Sequence, residues 1–120
     1  MKQVTIKNYR QAADYLNFKT DRPYANNTRI SLEDKLIVVR LHGNPIVTFS
    51  PGRIMLNNCG WQTMTTKERI IRFLPSGFSL YQDKKKWFIH NRKTGNTWKF
   101  VNGMVITDDD CILGAEKVEK

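Results

Sequence analysis

The stretch that decides the fold is residues 28–57, TRISLEDKLIVVRLHGNPIVTFSPGRIMLN. It contains four short runs rich in Ile, Val and Leu, at residues 30–32, 35–42, 45–49 and 53–57. Turn-forming clusters separate these runs, namely Glu33-Asp34, Gly43-Asn44 and Ser50-Pro51-Gly52. Short β-branched runs that are punctuated in this way predict strands joined by tight turns. The stretch therefore predicts an antiparallel β-meander.

The segment before this meander predicts one short helix. Asn8 can cap a helix over residues 9–16, which carry a narrow apolar stripe. A short strand is expected ahead of the cap, at residues 4–7. Residues 17–27 are expected to form an ordered loop, because Pro23 follows a turn signal and disfavours helix before it.

The segment after the meander predicts a central helix and then more strands. Thr65-Thr66-Lys67-Glu68 has the pattern of a capping box, so a helix is expected to begin there and to end near Leu74, before Pro75. Strands are expected at residues 78–82, 86–90, 97–101 and 104–107. The last two are joined by Asn102-Gly103, a strong hairpin signal because both residues tolerate positive φ.

These patterns predict an α+β fold, with antiparallel β-meander sheets, one short N-terminal helix and one central helix. A length of 120 residues fits a single domain. We expect this domain to cover residues 1–107. Residues 108–120 are expected to form an acidic, loosely ordered tail.

Charge is unevenly distributed along the chain. Its formal net charge is +9, but residues 108–120 hold five acidic and two basic residues, a net of −3, so residues 1–107 carry +12. Such an excess repels itself in the compact state, and we expect an anionic partner to offset it. Nucleic acid, a nucleotide and an anionic membrane all fit this interpretation, and solubility alone is the plainer alternative.

The sequence gives no indication of a membrane or secreted protein. No apolar run approaches the roughly 18–20 residues that a membrane span needs. The N-terminal residues lack the apolar region of a signal peptide. We therefore expect no membrane association, and a location in the cytosol of the cell that makes the protein.

The chain carries no recognisable catalytic motif. It has no Gly-rich phosphate loop, no Gly-x-Ser-x-Gly elbow, no His-Glu-x-x-His and no zinc-deaminase pattern. Its two histidines, His42 and His90, are interpreted as polar residues at strand ends. Cys59 and Cys111 match no ligand spacing and are expected to be free thiols. We predict a binding protein, with no catalytic residue, cofactor or metal site.

A first group of candidate ligand-binding residues surrounds the start of the meander. Asn26 and Asn27 enter a strand, Arg29 follows, and Arg40 and His42 lie at the end of the paired strand. Asparagine amides can bind base or sugar edges, whereas guanidinium groups bind phosphate oxygens. The asparagines could equally satisfy backbone groups of their own loop.

Residues 57–61, Asn-Asn-Cys-Gly-Trp, contain a second pair of adjacent asparagines, like Asn26-Asn27. Gly60 indicates a bulge or a close approach of the backbone. Trp61 is expected to be buried beneath it.

A second group of candidates interleaves basic and aromatic residues near the Lys84-Lys85-Lys86 run. Its members are Arg69, Arg72, Phe78, Tyr81, Asn91 and Arg92. Guanidinium groups suit phosphate oxygens, and aromatic faces stack on bases. Plainer interpretations stay open. Arg72 can pair with Glu68 at i,i+4, the neighbouring Trp87, Trp98 and Phe100 can belong to the core, and the lysine run can be a solvated turn.

Several motifs resemble those of a family of small bacteriophage proteins. They are Arg22-x-x-Ala25-Asn26-Asn27-Thr28, Val39-Arg40-Leu41-His42-Gly43-x-x-Ile46-Val47-Thr48-Phe49 and Leu56-Asn57-x-x-Gly60-Trp61-x-Thr63-x-Thr65-Thr66-Lys67-x-Arg69-Ile70. The resemblance spans roughly residues 9–87, which is most of the chain.

The resemblance is to phage anti-defence proteins that act as sponges against the Thoeris system. Such proteins bind cyclic ADP-ribose isomers made by TIR-domain enzymes of the host. Some also take up cyclic oligonucleotides, and they assemble as dimers or larger oligomers. The resemblance implies that a homo-oligomer binds and sequesters a cyclic nucleotide immune signal, without cleaving it, in the cytoplasm of the infected bacterium.

The resemblance assigns no individual binding residues, so the candidates remain the two groups above. Two other functions fit the sequence. One is a small DNA- or RNA-binding β-domain, indicated by the basic body. The other is a phage protein that docks on an acidic host protein.

Overall fold

Residues 5–119, which a computed structural model describes, form two helices and ten strands. In chain order they are α1 (Tyr9–Leu16), β1 (Asp21–Ala25), β2 (Thr28–Glu33), β3 (Leu36–Leu41), β4 (Asn44–Ser50), β5 (Arg53–Leu56), α2 (Met64–Phe73), β6 (Phe78–Asp83), β7 (Lys86–Asn91), β8 (Thr97–Lys99), β9 (Met104–Thr107) and β10 (Ile112–Leu113). The predicted α+β class, with a short N-terminal helix and a central helix, is confirmed. Neither of these helices is long and apolar enough to cross a membrane.

The strands form two antiparallel sheets. Seven of them lie in the order β1-β2-β3-β4-β5-β9-β10, and the other three in the order β6-β7-β8. From β1 to β5 the neighbours are consecutive in the chain, as a meander requires. β9 then returns to pair with β5, whereas β8 pairs with β7, so the hairpin predicted at Asn102-Gly103 is wrong. The chain therefore builds most of the first sheet, adds α2 and the second sheet, and afterwards extends the first sheet.

The two sheets and both helices share one hydrophobic core. Ile37, Val39 and Leu41 of β3 are buried, as the alternation of side chains along a strand predicts. Trp87 of β7 contacts Phe100 edge to face, with ring centroids 5.3 Å apart.

α1 forms where the sequence predicts it. The side chain of its N-cap, Asn8, accepts a hydrogen bond from the Gln11 amide at 2.8 Å. Residues 5–7 have no regular structure, so this part of the strand predicted at residues 4–7 does not form. Residue 4 lies outside the described residues.

β1 lies within residues 17–27, where the sequence predicts a loop. It is an edge strand of the first sheet, and its Pro23 pairs with Arg29 of β2. Proline has no N–H to donate, and an edge strand tolerates it because one side needs no ladder hydrogen bond. The turn-like composition of this segment therefore concealed a strand.

α2 begins at a different cap from the one predicted. Thr63 is the N-cap, and its hydroxyl accepts a hydrogen bond from the Thr66 amide at 3.1 Å. The capping box predicted at Thr65 is therefore wrong. Glu68, its expected partner, instead pairs with Arg72 one turn further along the helix.

The sequence predicts loose order for the acidic segment 108–120, but residues 108–119 are attached to both sheets. β10 pairs with β9 in the first sheet. Lys117 forms a bridge with Trp98 of β8, and the Val118 amide donates to the Thr97 carbonyl at 2.7 Å. This segment therefore covers part of the edge of each sheet.

Candidate ligand-binding site

Two hairpin turns of the first sheet form one corner of the molecule. Asn26-Asn27 joins β1 to β2, and His42-Gly43 joins β3 to β4. The His42 amide donates to the Asn27 carbonyl at 2.8 Å. Both residues have a left-handed backbone, with φ of 56° at Asn27 and 52° at His42. The hydrogen bond fixes the two turns together and leaves Asn26, Asn27 and His42 exposed.

Arg69 of α2 belongs to this corner, although the sequence groups it with the later basic residues. Its Nε donates to Thr28 Oγ1 at 3.0 Å, and its Nη2 donates to the Asn26 carbonyl at 3.4 Å. Its Nη1 pairs with Glu68, and the side chain is 12% exposed. Arg69 therefore ties α2 to the corner, and most of its donors are already used.

Arg29 and Arg40 line a pocket of about 400 Å³ beside the corner, on β1, β2 and β3. Both are ion-paired: Arg29 Nε lies 3.0 Å from Asp21 Oδ1, and Arg40 Nη2 lies 2.6 Å from Glu33 Oε1. A hydrogen bond from Arg40, and a smaller contribution from one donated by Ser31, lower the pKa of Glu33 to about 2. The Glu33 carboxylate is therefore charged at neutral pH. A phosphate would compete there with two carboxylates, which makes this pocket a poor anion site.

A larger pocket opens on the other side of the His42-Gly43 turn, and we call it the Trp61 pocket. It is lined by Leu41, His42, Asn44, Ile46, Asn58, Trp61, Thr63, Thr65 and Thr66. Its volume is about 530 Å³, within the range of small-molecule sites. None of the described residues that line it is acidic. An anion therefore meets no like charge on its wall.

Trp61 is 58% exposed, whereas the sequence predicts it to be buried. Asn58 Oδ1 accepts a hydrogen bond from the Gly60 amide at 2.9 Å, and Gly60 adopts a φ of 81°. This tight loop, which Gly60 signals in the sequence, presents the indole to solvent instead of to the core. The indole is thus available to stack on a planar ligand.

Asn58 is a buried polar residue of the pocket, at 5% exposure. Its backbone amide donates to Asn102 Oδ1 at 2.9 Å, which fastens the loop to the turn between β8 and β9. Its Nδ2 has no hydrogen-bond partner within residues 5–119. This amide is therefore available to donate to a ligand acceptor in the pocket, and such a hydrogen bond contributes about 0.5–1.5 kcal/mol.

The N-terminus of α2 contributes a polar wall to the same pocket. Thr63, Thr65 and Thr66 line it, and the Thr63 hydroxyl caps the Thr66 amide. The amides of Met64 and Thr65 have no acceptor inside the helix, because they belong to its first turn. A helix N-terminus carries partial positive charge and favours anions. This wall therefore suits a phosphate group.

The other predicted residues lie in structural contacts away from the corner. Phe78 and Asn91 are buried, and Arg92 Nη1 lies 3.4 Å from the Phe78 carbonyl. Arg72 Nε donates to Glu68 Oε1 at 2.5 Å, the i,i+4 pair that the sequence allows. Tyr81 is different, because it is 42% exposed on the outer face of the second sheet.

The two cysteines are free thiols. The Cys59 thiol donates to the Pro45 carbonyl at 3.2 Å, and burial raises its pKa. It is therefore protonated at neutral pH, a poor state for a nucleophile. Residues 5–119 contain no group of three or more His, Cys, Asp or Glu side chains that could hold a metal ion.

Comparison with known proteins identifies a bacteriophage family. The family model described as Kyanoviridae Gp96 protein matches residues 3–107, a span that includes every residue of the corner and of the Trp61 pocket. No curated protein and no solved structure matches the chain. The predicted resemblance to a family of small bacteriophage proteins is confirmed. The chain belongs to the Kyanoviridae Gp96 protein family.

Proposed function

We propose that this protein binds a phosphate-bearing small molecule of the nucleotide type in the Trp61 pocket and holds it without cleaving it. The observation that carries the proposal is the composition of that pocket. A half-exposed indole, the side-chain amide of Asn58 and a helix N-terminus line one cavity, and none of the described lining residues is acidic. These are the groups that a planar base and a phosphate require.

Each wall of the pocket has a separate part in this proposal. The phosphate lies at the N-terminus of α2, near the hydroxyls of Thr63 and Thr65. The base stacks on Trp61, and the Asn58 Nδ2 donates to an acceptor of the base or sugar. Arg69 and Thr28 hold the helix and the corner in position without contacting the ligand.

The phage family and the motif resemblance favour a cyclic nucleotide immune signal as the ligand. In this proposal the protein sequesters a cyclic ADP-ribose isomer or a cyclic oligonucleotide in the cytoplasm of the infected bacterium. Sequestration needs slow release, which a preformed pocket favours because little ordering is required on binding. The pocket is open on one side, so a second subunit of a homo-oligomer would supply the missing wall.

Isothermal titration calorimetry with cyclic ADP-ribose isomers and cyclic dinucleotides tests the proposal. We expect saturable binding of one of these ligands by the wild-type protein. Trp61→Ala is expected to bind about 5- to 160-fold more weakly, since stacking of a base on an aromatic ring contributes about 1–3 kcal/mol. Phe18→Ala is the matched control, because Phe18 is a fully exposed aromatic residue that lies outside the pocket.

The proposal fails if no isomer or cyclic dinucleotide gives a heat of binding. It fails as well if Trp61→Ala and Phe18→Ala bind the ligand with equal affinity, because the pocket would then not be the site.

A further inference from the structure

The outer face of the second sheet carries two aromatic side chains that the core does not use. The register places Tyr81 of β6 opposite Phe88 of β7, and Phe88 opposite Lys99 of β8. The rings of Tyr81 and Phe88 stack, with centroids 5.4 Å apart and an angle of 24° between their planes. Their neighbours Trp87 and Ile89 are buried on the opposite face. The sheet thus presents a small aromatic platform to solvent.

A row of polar side chains lies next to this platform. Ser79, His90 and Thr97 are aligned across β6, β7 and β8. His90 Nδ1 lies 2.8 Å from Thr97 Oγ1. Tyr81 and Thr97 also line a cleft of about 340 Å³ with the C-terminal segment, including Glu119. Hydrogen-bonding groups are therefore available beside the rings.

Positive charge is concentrated around the same platform. Residues 78–101 contain six Lys and Arg residues, against Asp83 as their one acidic residue, a net charge of +5. Lys84, Lys85, Lys86 and Lys99 are exposed. The four salt bridges found within residues 5–119 all use arginine, so none of these four lysines forms a salt bridge there.

We propose that this face binds single-stranded nucleic acid. Bases stack on the Tyr81–Phe88 pair, and the backbone phosphates lie near Lys84, Lys85 and Lys99. Aromatic rings on an open sheet stack on unpaired bases, whereas the bases of a duplex are already stacked on one another. The basic surroundings match the charge of the phosphate backbone. This face shares no residue with the Trp61 pocket, so the two proposals stand independently.

Fluorescence anisotropy of labelled 20-nucleotide poly(dT) and poly(rU) strands, in 50 and 200 mM salt, tests this proposal. We expect binding at 50 mM salt that weakens steeply at 200 mM. Tyr81→Ala is expected to weaken it ~10-fold, and Tyr81→Phe to preserve it because the ring remains. The double variant Lys84→Gln/Lys85→Gln is expected to bind more weakly. The slope of log K against log salt should also become shallower by about 1.4, the value for two phosphate contacts on a single strand.

Lys19→Gln with Lys35→Gln is the control, because it removes the same charge from exposed lysines outside this face. Circular dichroism of each variant verifies that it is folded. Absence of binding at 50 mM salt overturns the proposal. Equal affinity for a duplex of the same length, or equal affinity of the Lys84/Lys85 variant and the control, overturns it too.

Discussion

Thr28 connects the corner of the first sheet to α2 through a single hydroxyl. The side chain is 1% exposed, and its Oγ1 donates to the Asn26 carbonyl at 3.0 Å while it accepts from Arg69 Nε. Thr28→Val preserves the shape of the side chain but leaves a largely buried guanidinium donor without its acceptor. We expect the free energy of unfolding to fall by about 1–2 kcal/mol, measured by urea denaturation.

Thr20→Val is the control for this prediction, because Thr20 is exposed and donates no side-chain hydrogen bond within the described residues. Equal stability of the two variants would show that the Thr28–Arg69 contact contributes nothing.

Arg69 also illustrates which residue roles the sequence could predict. The alternatives stated for Arg72 and Trp87, an ion pair with Glu68 and a place in the core, agree with the structure. Arg69 was grouped with Arg72 because they lie three residues apart in sequence. In space Arg69 contacts residues 26 and 28, a separation that no local pattern reveals.

At the scale of elements, the N-cap of α2 matters most, because it forms one wall of the proposed site. Thr63→Ala removes the hydroxyl that accepts from the Thr66 amide and is expected to lower the free energy of unfolding by about 1 kcal/mol. Thr65→Ala, within the first turn, is expected to change it by less than half as much. Urea denaturation of both variants shows whether Thr63 or Thr65 caps the helix. A larger decrease in the free energy of unfolding for Thr65→Ala than for Thr63→Ala would contradict the structure.

The sequence predicted most of the elements from the alternation of side chains and from turn residues. The sequence misplaced the N-cap of α2 and missed β1, because the local signals at both places are ambiguous. The three threonines at residues 63, 65 and 66 offer more than one cap, and packing of the helix decides which one is used. β1 contains Pro23, a residue that normally indicates a turn, and only its position at the sheet edge permits a strand.

At the scale of the whole molecule, positive charge is distributed differently over the two sheets. Arg29 and Arg40 of the first sheet pair with Asp21 and Glu33, so these two arginines add little net charge at the corner. Lysines that form no salt bridge within residues 5–119 lie around the second sheet. Net charge therefore leads to the hypothesis of an anionic partner at this surface, but it does not locate the Trp61 pocket.

The Trp61 pocket itself could not be predicted from the sequence, because three distant segments form it. Residues 41–46 supply one wall, residues 58–66 supply the others, and Asn102 fixes the loop that carries Asn58. Gly60 was the local signal for that loop. The direction in which the loop presents Trp61 depends on its hydrogen bonds.

Retention of an intact ligand is the most direct test of the central claim that this pocket binds a nucleotide without cleaving it. The protein is mixed with an equimolar cyclic ADP-ribose isomer or cyclic dinucleotide, separated from free ligand by gel filtration and denatured by heat, and the released material is measured by mass spectrometry. The account predicts intact cyclic ligand from the wild-type protein and from Phe18→Ala, and almost none from Trp61→Ala. A linear or hydrolysed product, or no ligand retained from the whole panel, would contradict it.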